Sequence, residues 1–209
     1  MGQAGRYFQQ AVSRTDGRFS DVTTLSHPAI KRVVEAASRK GATLDIRFMP
    51  ASTHSAEEAA AAVGADLGQI VKSLVFVAPR PESRLALLVC LVSGRNQVDL
   101  GLLNAVTGEV AMRRATAREA RELTGYSIGG IPPFGHRRDV RILMDEDLGQ
   151  YEWVWAAAGT NQAVFRVEPR TLQMLSNAVV APVAQTAGSR ATAASAIEPR
   201  LQFEAGAGA

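Results

Sequence analysis

Cysteine is almost absent: Cys90 is the only one in 209 residues. A single thiol excludes a disulfide framework and any cysteine-based zinc site. No stretch reaches the ~20 consecutive apolar residues of a membrane helix. The first residues also lack the charged-then-apolar order of a secretory signal. The expectation is a cytoplasmic protein with no membrane partner. Lysine is scarce too: of 23 basic residues only Lys31, Lys40 and Lys72 are lysine, and every other one is arginine. Common catalytic signatures are missing. There is no GxxxxGK[ST] or HExxH, and His27, His54 and His136 stand at no metal-ligand spacing. Neither a metal nor a cofactor is expected.

What is present is ordinary in bulk. With 46% hydrophobic and 21% charged residues, the chain has the composition of a globular protein, which excludes wholesale disorder. Its length suits one domain. A net charge of +3 and a pI near 9.4 favour an anionic partner, nucleic acid among them. Codon usage alone also produces arginine-rich chains, so composition names no partner. Residues 1–23 show no sustained period, and residues 185–209 are dominated by Ala, Gly, Ser and Thr. Neither segment offers enough apolar surface to offset ordering, so both are expected to be mobile around a folded unit of residues 24–184.

Within that unit helices and strands alternate. Ser26 and Pro28 open a helix that Gly41 stops. Residues 44–48 alternate as a half-buried strand. Ser55 and Glu58 form a capping box for an Ala-rich helix closed by Gly64. Residues 70–78 and 85–92 read as a hairpin. A short helix follows Asp99, then a strand at 110–112. Thr116 and Glu119 cap a helix ended by Gly125, and a Gly/Pro-rich loop follows. Strands are expected at 140–144, 152–157 and 163–167, with a last helix entered through Pro169. This order predicts an α/β domain with a partly antiparallel sheet.

Three places could carry chemistry. Strand alternation puts Lys72 on one face with Ile70, Leu74 and Phe76. A lysine there either snorkels from a strand end to solvent or presents a cation in a pocket. The loop from Gly125 to His136 contains four glycines and two prolines. It is either a rigid connection or a backbone able to meet a ligand closely and stabilise an oxyanion. The run Ala157-Ala158-Gly159-Thr160 ends a strand carrying Trp153 and Trp155. Its small side chains leave room for a ligand or make a tight turn. The two tryptophans read as core.

Four stretches in this order resemble the YbaK/ProX family of aminoacyl-tRNA deacylases, free-standing relatives of the editing domain of bacterial prolyl-tRNA synthetase. They are IVKSLVF around Lys72, SGRNQVDLGLLN, TGYSIGGIPPFGH and AAGTNQAVFRVEP, within residues 26–175. The resemblance implies a single α/β domain with a mixed, barrel-like β core flanked by helices. It also implies hydrolysis of the ester between a mischarged amino acid and the terminal adenosine of tRNA.

On that basis Lys72, Gly129 and Gly130 are the expected catalytic groups. Ile131, Pro132, Pro133, His136, Ala157, Ala158 and Gly159 are expected around the substrate, and Arg95, Arg137 and Arg138 on tRNA phosphates. Partners are the acceptor end of mischarged tRNA and an aminoacyl-tRNA synthetase. Relatives specialised for cysteinyl-tRNA carry a serine where this chain has Ala157, and the familiar GGISP reads GGIPP here. Both hydroxyls are missing, so alanyl and cysteinyl substrates stay equally open. A non-catalytic relative that binds tRNA, an aminoacyl-nucleotide or a synthetase is the alternative.

Overall fold

The computed structural model describes residues 27–49, 55–81 and 85–185. The expected mobile ends lie outside these residues, apart from Gln185, as do Ser26 and His54. Helix α1 (Pro28–Arg39) is capped by His27, whose Nδ1 accepts from the Ala29 N–H at 3.2 Å, so its cap sits one residue beyond the expected Ser26. Its buried stripe of Ala29, Ile30, Val33 and Ala37 follows helical spacing and packs on the strands.

Strand β1 (Ile46–Phe48) comes next, then α2 (Ala56–Val63), whose Ser55 hydroxyl accepts from the Glu58 N–H. A 3₁₀ turn (Leu67–Gln69) leads into the long hairpin β2 (Val71–Pro79) and β3 (Leu85–Ser93). Asp99 caps α3 (Leu100–Thr107).

The expected strand at 110–112 is absent. Val110 is exposed and Ala111 has φ of +60°, so the chain becomes extended only at β4 (Arg113–Arg114), beside Val77 and Phe76 of β2. Helix α4 (Ala117–Thr124) carries the complete Thr116/Glu119 capping box. There follow β5 (Arg141–Asp145), a second 3₁₀ turn (Glu146–Gln150), β6 (Val154–Thr160), β7 (Ala163–Val167), α5 (Pro169–Ser176) and β8 (Val179–Ala181). Strand β8 was not anticipated.

The strands form two sheets, β1-β7-β6 and β4-β2-β3-β5-β8. The first is antiparallel, and the second adds two parallel pairs, β3 with β5 and β5 with β8. One parallel bridge, Ile70 to Trp155, joins them. The sheets do not close into a barrel, so the β core is mixed but open. The main core joins α1, both sheets and the glycine loop through Ile30, Val33, Leu91, Ile131, Phe134 and Phe165. A second cluster around Phe76, Cys90, Leu103 and Leu143 lies on the other face of the larger sheet.

The α4 cap generates a stability prediction. Thr116 Oγ1 accepts from the Glu119 N–H at 3.2 Å, while Glu119 accepts from the Thr116 N–H at 2.8 Å. Thr116→Ala should lower the unfolding free energy by about 1 kcal/mol in urea titrations. An unchanged midpoint would show that the Glu119 carboxylate alone secures this helix start.

Candidate functional site

Beyond the Ile70–Trp155 bridge, β2 and β6 part and leave a cavity of about 290 Å³. Its walls come from β2 (Lys72, Leu74), α2 (Ala56, Ala59), the loop (Ile128, Gly129, Ile131) and β6 (Ala156, Ala157, Thr160). Most of this lining is apolar. The three lysines have different fates. Lys31 pairs with Glu35 one helical turn on, and Lys40 donates to the Met174 and Leu175 carbonyls at the end of α5. Lys72 stands in the cavity wall.

Its ammonium donates to Gly94 O at 3.0 Å and to Asn96 O, in the turn that follows β3. Two carbonyl oxygens on one ammonium stabilise the charged form. The turn is itself held from behind. The Asn96 amide donates to Asp145 Oδ2 at 2.7 Å and to Asp147 Oδ2 at 2.8 Å. Burial pushes the Asp145 carboxyl above the usual carboxylate range, while the Asn96 bond opposes that rise. Glu57, in the first turn of α2, is held below its usual range, chiefly by a backbone hydrogen bond. Ser55 and the attraction of Lys72 act in the same direction.

The glycine loop contributes through its turn. Ser127 O accepts from the Gly130 N–H at 3.0 Å, and Gly129 has φ of +89°. A positive φ at the third residue is the mark of a type II turn and explains a glycine there. This corrects the role expected of Gly130, because its N–H is already bonded to Ser127. Its Cα instead rests on the neighbouring strand: a Cβ at Gly130 would lie 2.6 Å from Thr160 Cα. Gly129 and Ile131 line the cavity, and Ala157 faces it from β6. A bulge between Ala157 and Thr160 interrupts the β6–β7 register at that point.

Other expected site residues lie behind this wall. Pro132, Pro133 and Ala158 are buried, and Gly159 abuts Ala29 of α1. His136 packs edge-on against Tyr126, with ring centroids 5.9 Å apart. Neither ring nitrogen has a hydrogen-bond partner among the described residues. Arg95 is exposed on the turn that holds Lys72. Arg137 lies over Gly125, and Arg138 is exposed beyond it. No group of three metal-ligating side chains occurs among the described residues. Trp155 is buried beneath α2, as expected of a core residue, and also lines the cavity.

Sequence reasoning missed Arg114, which lines the cavity from β4. A strand placed at 110–112 leaves Arg114 beyond its end, so nothing marked it. It also missed the α2 wall, although the Ala-rich face of that helix was visible.

Two predictions follow from this geometry. Gly130→Ala should destabilise the protein and displace the loop, since its methyl would meet the Thr160 backbone. A melting temperature and loop spectrum identical to wild type would contradict that contact. His136 concerns pH: burial lowers its pKa from 6.5 to about 4. The unfolded chain therefore takes up a proton that the folded chain refuses. Stability should be full above about pH 6.5 and fall as the pH drops toward 4, by on the order of 3 kcal/mol. His136→Phe should flatten the stability profile across that window, measured by urea unfolding at each pH.

Comparison with known proteins agrees with this architecture. The pattern of the aminoacyl-tRNA editing domain matches residues 50–175. A solved structure described as that of a proposed trans-editing enzyme for prolyl-tRNA synthetase is 45% identical. It superposes with a TM-score of 0.69, covering 77% of this chain and 99% of its own. Uncharacterized protein YwhH of Bacillus subtilis (strain 168) is 30% identical over 132 residues, 63% of this chain and 81% of that protein. EbsC of Enterococcus faecalis (strain ATCC 700802 / V583), provisionally named a Cys-tRNA(Pro)/Cys-tRNA(Cys) deacylase, is 26% identical over 62% of this chain and 76% of its own. The YbaK/ProX resemblance is borne out, and the chain belongs to the aminoacyl-tRNA editing domain family.

Proposed function

We propose that this protein is a trans-editing hydrolase that removes a small, mischarged amino acid from tRNA, with tRNA-Pro the leading candidate. The observation that carries the reading is Lys72, an ammonium set in a mostly apolar cavity wall beside Gly129 and Ala157. An aminoacyl ester is already activated, so the protein need only bind it, polarise its carbonyl and admit water.

Water adds to the ester carbonyl, the bond to the ribose oxygen breaks, and that oxygen takes a proton. Free amino acid and tRNA leave. In this scheme Lys72 holds the ribose or carbonyl oxygens. The oxyanion falls to the N–H groups of Gly129 and Ile131, since that of Gly130 is engaged. Substrate groups or backbone orient the water, and neither a covalent nucleophile nor a metal is invoked. Ala156 and Ala157 keep the pocket wall short, and no side-chain hydroxyl stands at 132 or 157. Selection among small aminoacyl groups is then mainly steric, and one methylene in such a pocket is worth only ~1–3 kcal/mol. Arg95, on the turn that holds Lys72, is the best placed of the three expected arginines to meet tRNA. A synthetase that releases the mischarged tRNA is the proposed protein partner.

The decisive experiment incubates the full chain with tRNA-Pro charged with alanine, cysteine, serine or proline and follows the loss of aminoacyl label. Rapid release of small residues with prolyl-tRNA spared is expected. Lys72→Ala should slow that release by about 10²–10³-fold, the usual cost of losing one stabilising group. Its melting temperature should stay close to wild type. Tight tRNA binding with no release of any amino acid would favour the non-catalytic alternative. Full activity in Lys72→Ala would remove Lys72 from the mechanism.

A further inference from the structure

The two arginines of β4 have unlike surroundings. Strand alternation sends Arg113 and Arg114 to opposite faces. The Arg113 guanidinium closes on Glu119 through two bonds of 2.9 and 2.7 Å, and the same carboxylate completes the α4 cap. Arg114 pairs in register with Phe76, and its guanidinium lies over the Phe76 ring, 5.5 Å from the centroid. It lines the cavity, and no carboxylate lies within ion-pair distance of it among the described residues. The Arg114 side chain is exposed where it lines the cavity, and its guanidinium keeps its charge at any working pH.

Its place relative to Lys72 is set by β2. Lys72, Leu74 and Phe76 share one face, and four residues of strand span ~13 Å at ~3.3 Å each. Lys72 and Arg114 thus stand at opposite ends of one stripe along the cavity. Under the aminoacyl-tRNA reading above, on which this inference rests, the aminoacyl group itself offers no anion to Arg114. Its carboxyl is esterified and its amine is cationic. The anions of such a substrate are its phosphodiesters.

We propose that Arg114 binds a phosphodiester in the single-stranded 3′ end of the tRNA while Lys72 holds the ester end. The planar fork of arginine matches two phosphate oxygens, and stacking on Phe76 fixes the plane of that fork. Arg114 then sets how far the 3′ end can enter the cavity. It discriminates RNA with an intact 3′ terminus from RNA without one, independently of the amino acid.

The test uses the full chain and uncharged RNA hairpins that mimic the acceptor stem. One ends in single-stranded CCA and the other lacks those three nucleotides. Anisotropy titrations are run across a range of salt concentrations. Wild type should prefer the CCA-ended hairpin. Arg114→Gln should bind it roughly tenfold more weakly, the scale of one charge-assisted contact. The slope of log K against log salt should fall by about 0.7, as for one single-strand phosphate. Binding to the truncated hairpin should not change.

Arg114→Lys should recover the slope but not the full affinity, and it carries the test should the Gln variant unfold. Arg118→Gln removes an exposed charge paired with Glu122 on α4 and should leave the CCA preference intact. Wild-type CCA preference and slope in Arg114→Gln would overturn the assignment, as would an equal loss in Arg118→Gln. The hydrolase reading fails separately. If no aminoacyl-tRNA is hydrolysed but the hairpin result holds, Arg114 stands and the catalytic proposal falls.

Discussion

The candidate site depends on one contact, the parallel bridge between Ile70 and Trp155. Among the described residues it is the one place where the two sheets meet as neighbouring strands. On one side of it Ile70, Trp155, Val164 and Met49 pack under α2. On the other side β2 continues toward β4, while β6 runs toward the bulge at Ala157 and Thr160. Small residues on β6 and α2 then leave the gap unfilled. A cavity persists because Ala56, Ala59, Ala156 and Ala157 are too short to close it.

That geometry explains why some of the molecule was legible in its sequence and some was not. Helices announced by their caps were found: Ser55 and Gly64 around α2, Asp99 before α3, and Thr116 and Gly125 around α4 all act as their chemistry suggests. The hairpin was equally clear, because its apolar runs are long and its turn residues cluster. Strand β8 escaped because it has three residues, two of them exposed, and takes its place only by lying parallel to β5. The strand at 110–112 was misplaced for a backbone reason, the positive φ of Ala111. Strand order was out of reach, since the parallel β3–β5 pair joins segments about fifty residues apart and leaves no local mark.

The site shows the same division. Lys72 was visible because a lysine on an apolar strand face violates a local pattern. The glycine loop was visible by composition, but composition could not separate Gly129 from Gly130. The first lines the cavity through a turn, while the second is required by a close approach to Thr160, thirty residues further along the chain. Sensitivity of the loop to substitution at Gly130 is therefore a packing effect that reaches the cavity through its neighbours. His136 makes the same point in reverse. Its place beside the loop suggested substrate contact, yet its ring is shut against Tyr126 behind the wall.

Arginine content was the least informative feature in the sequence and becomes informative only after its partners are subtracted. Arg80 pairs with Glu109, Arg113 with Glu119 and Arg118 with Glu122. Arg32 stacks on Tyr126, Arg47 on Trp155 and Arg166 on Trp153. These contacts engage charge at the surface or use the flat guanidinium as packing. Arg114 also stacks, but on a phenylalanine beside a cavity and without an acid partner among the described residues. Stacking covers one face of its guanidinium and leaves the N–H edge to find an acceptor. A global excess of positive charge can thus be a poor guide to an RNA-binding surface, while a single arginine stacked on one ring beside a cavity, with no acid partner among the described residues, is a more specific one.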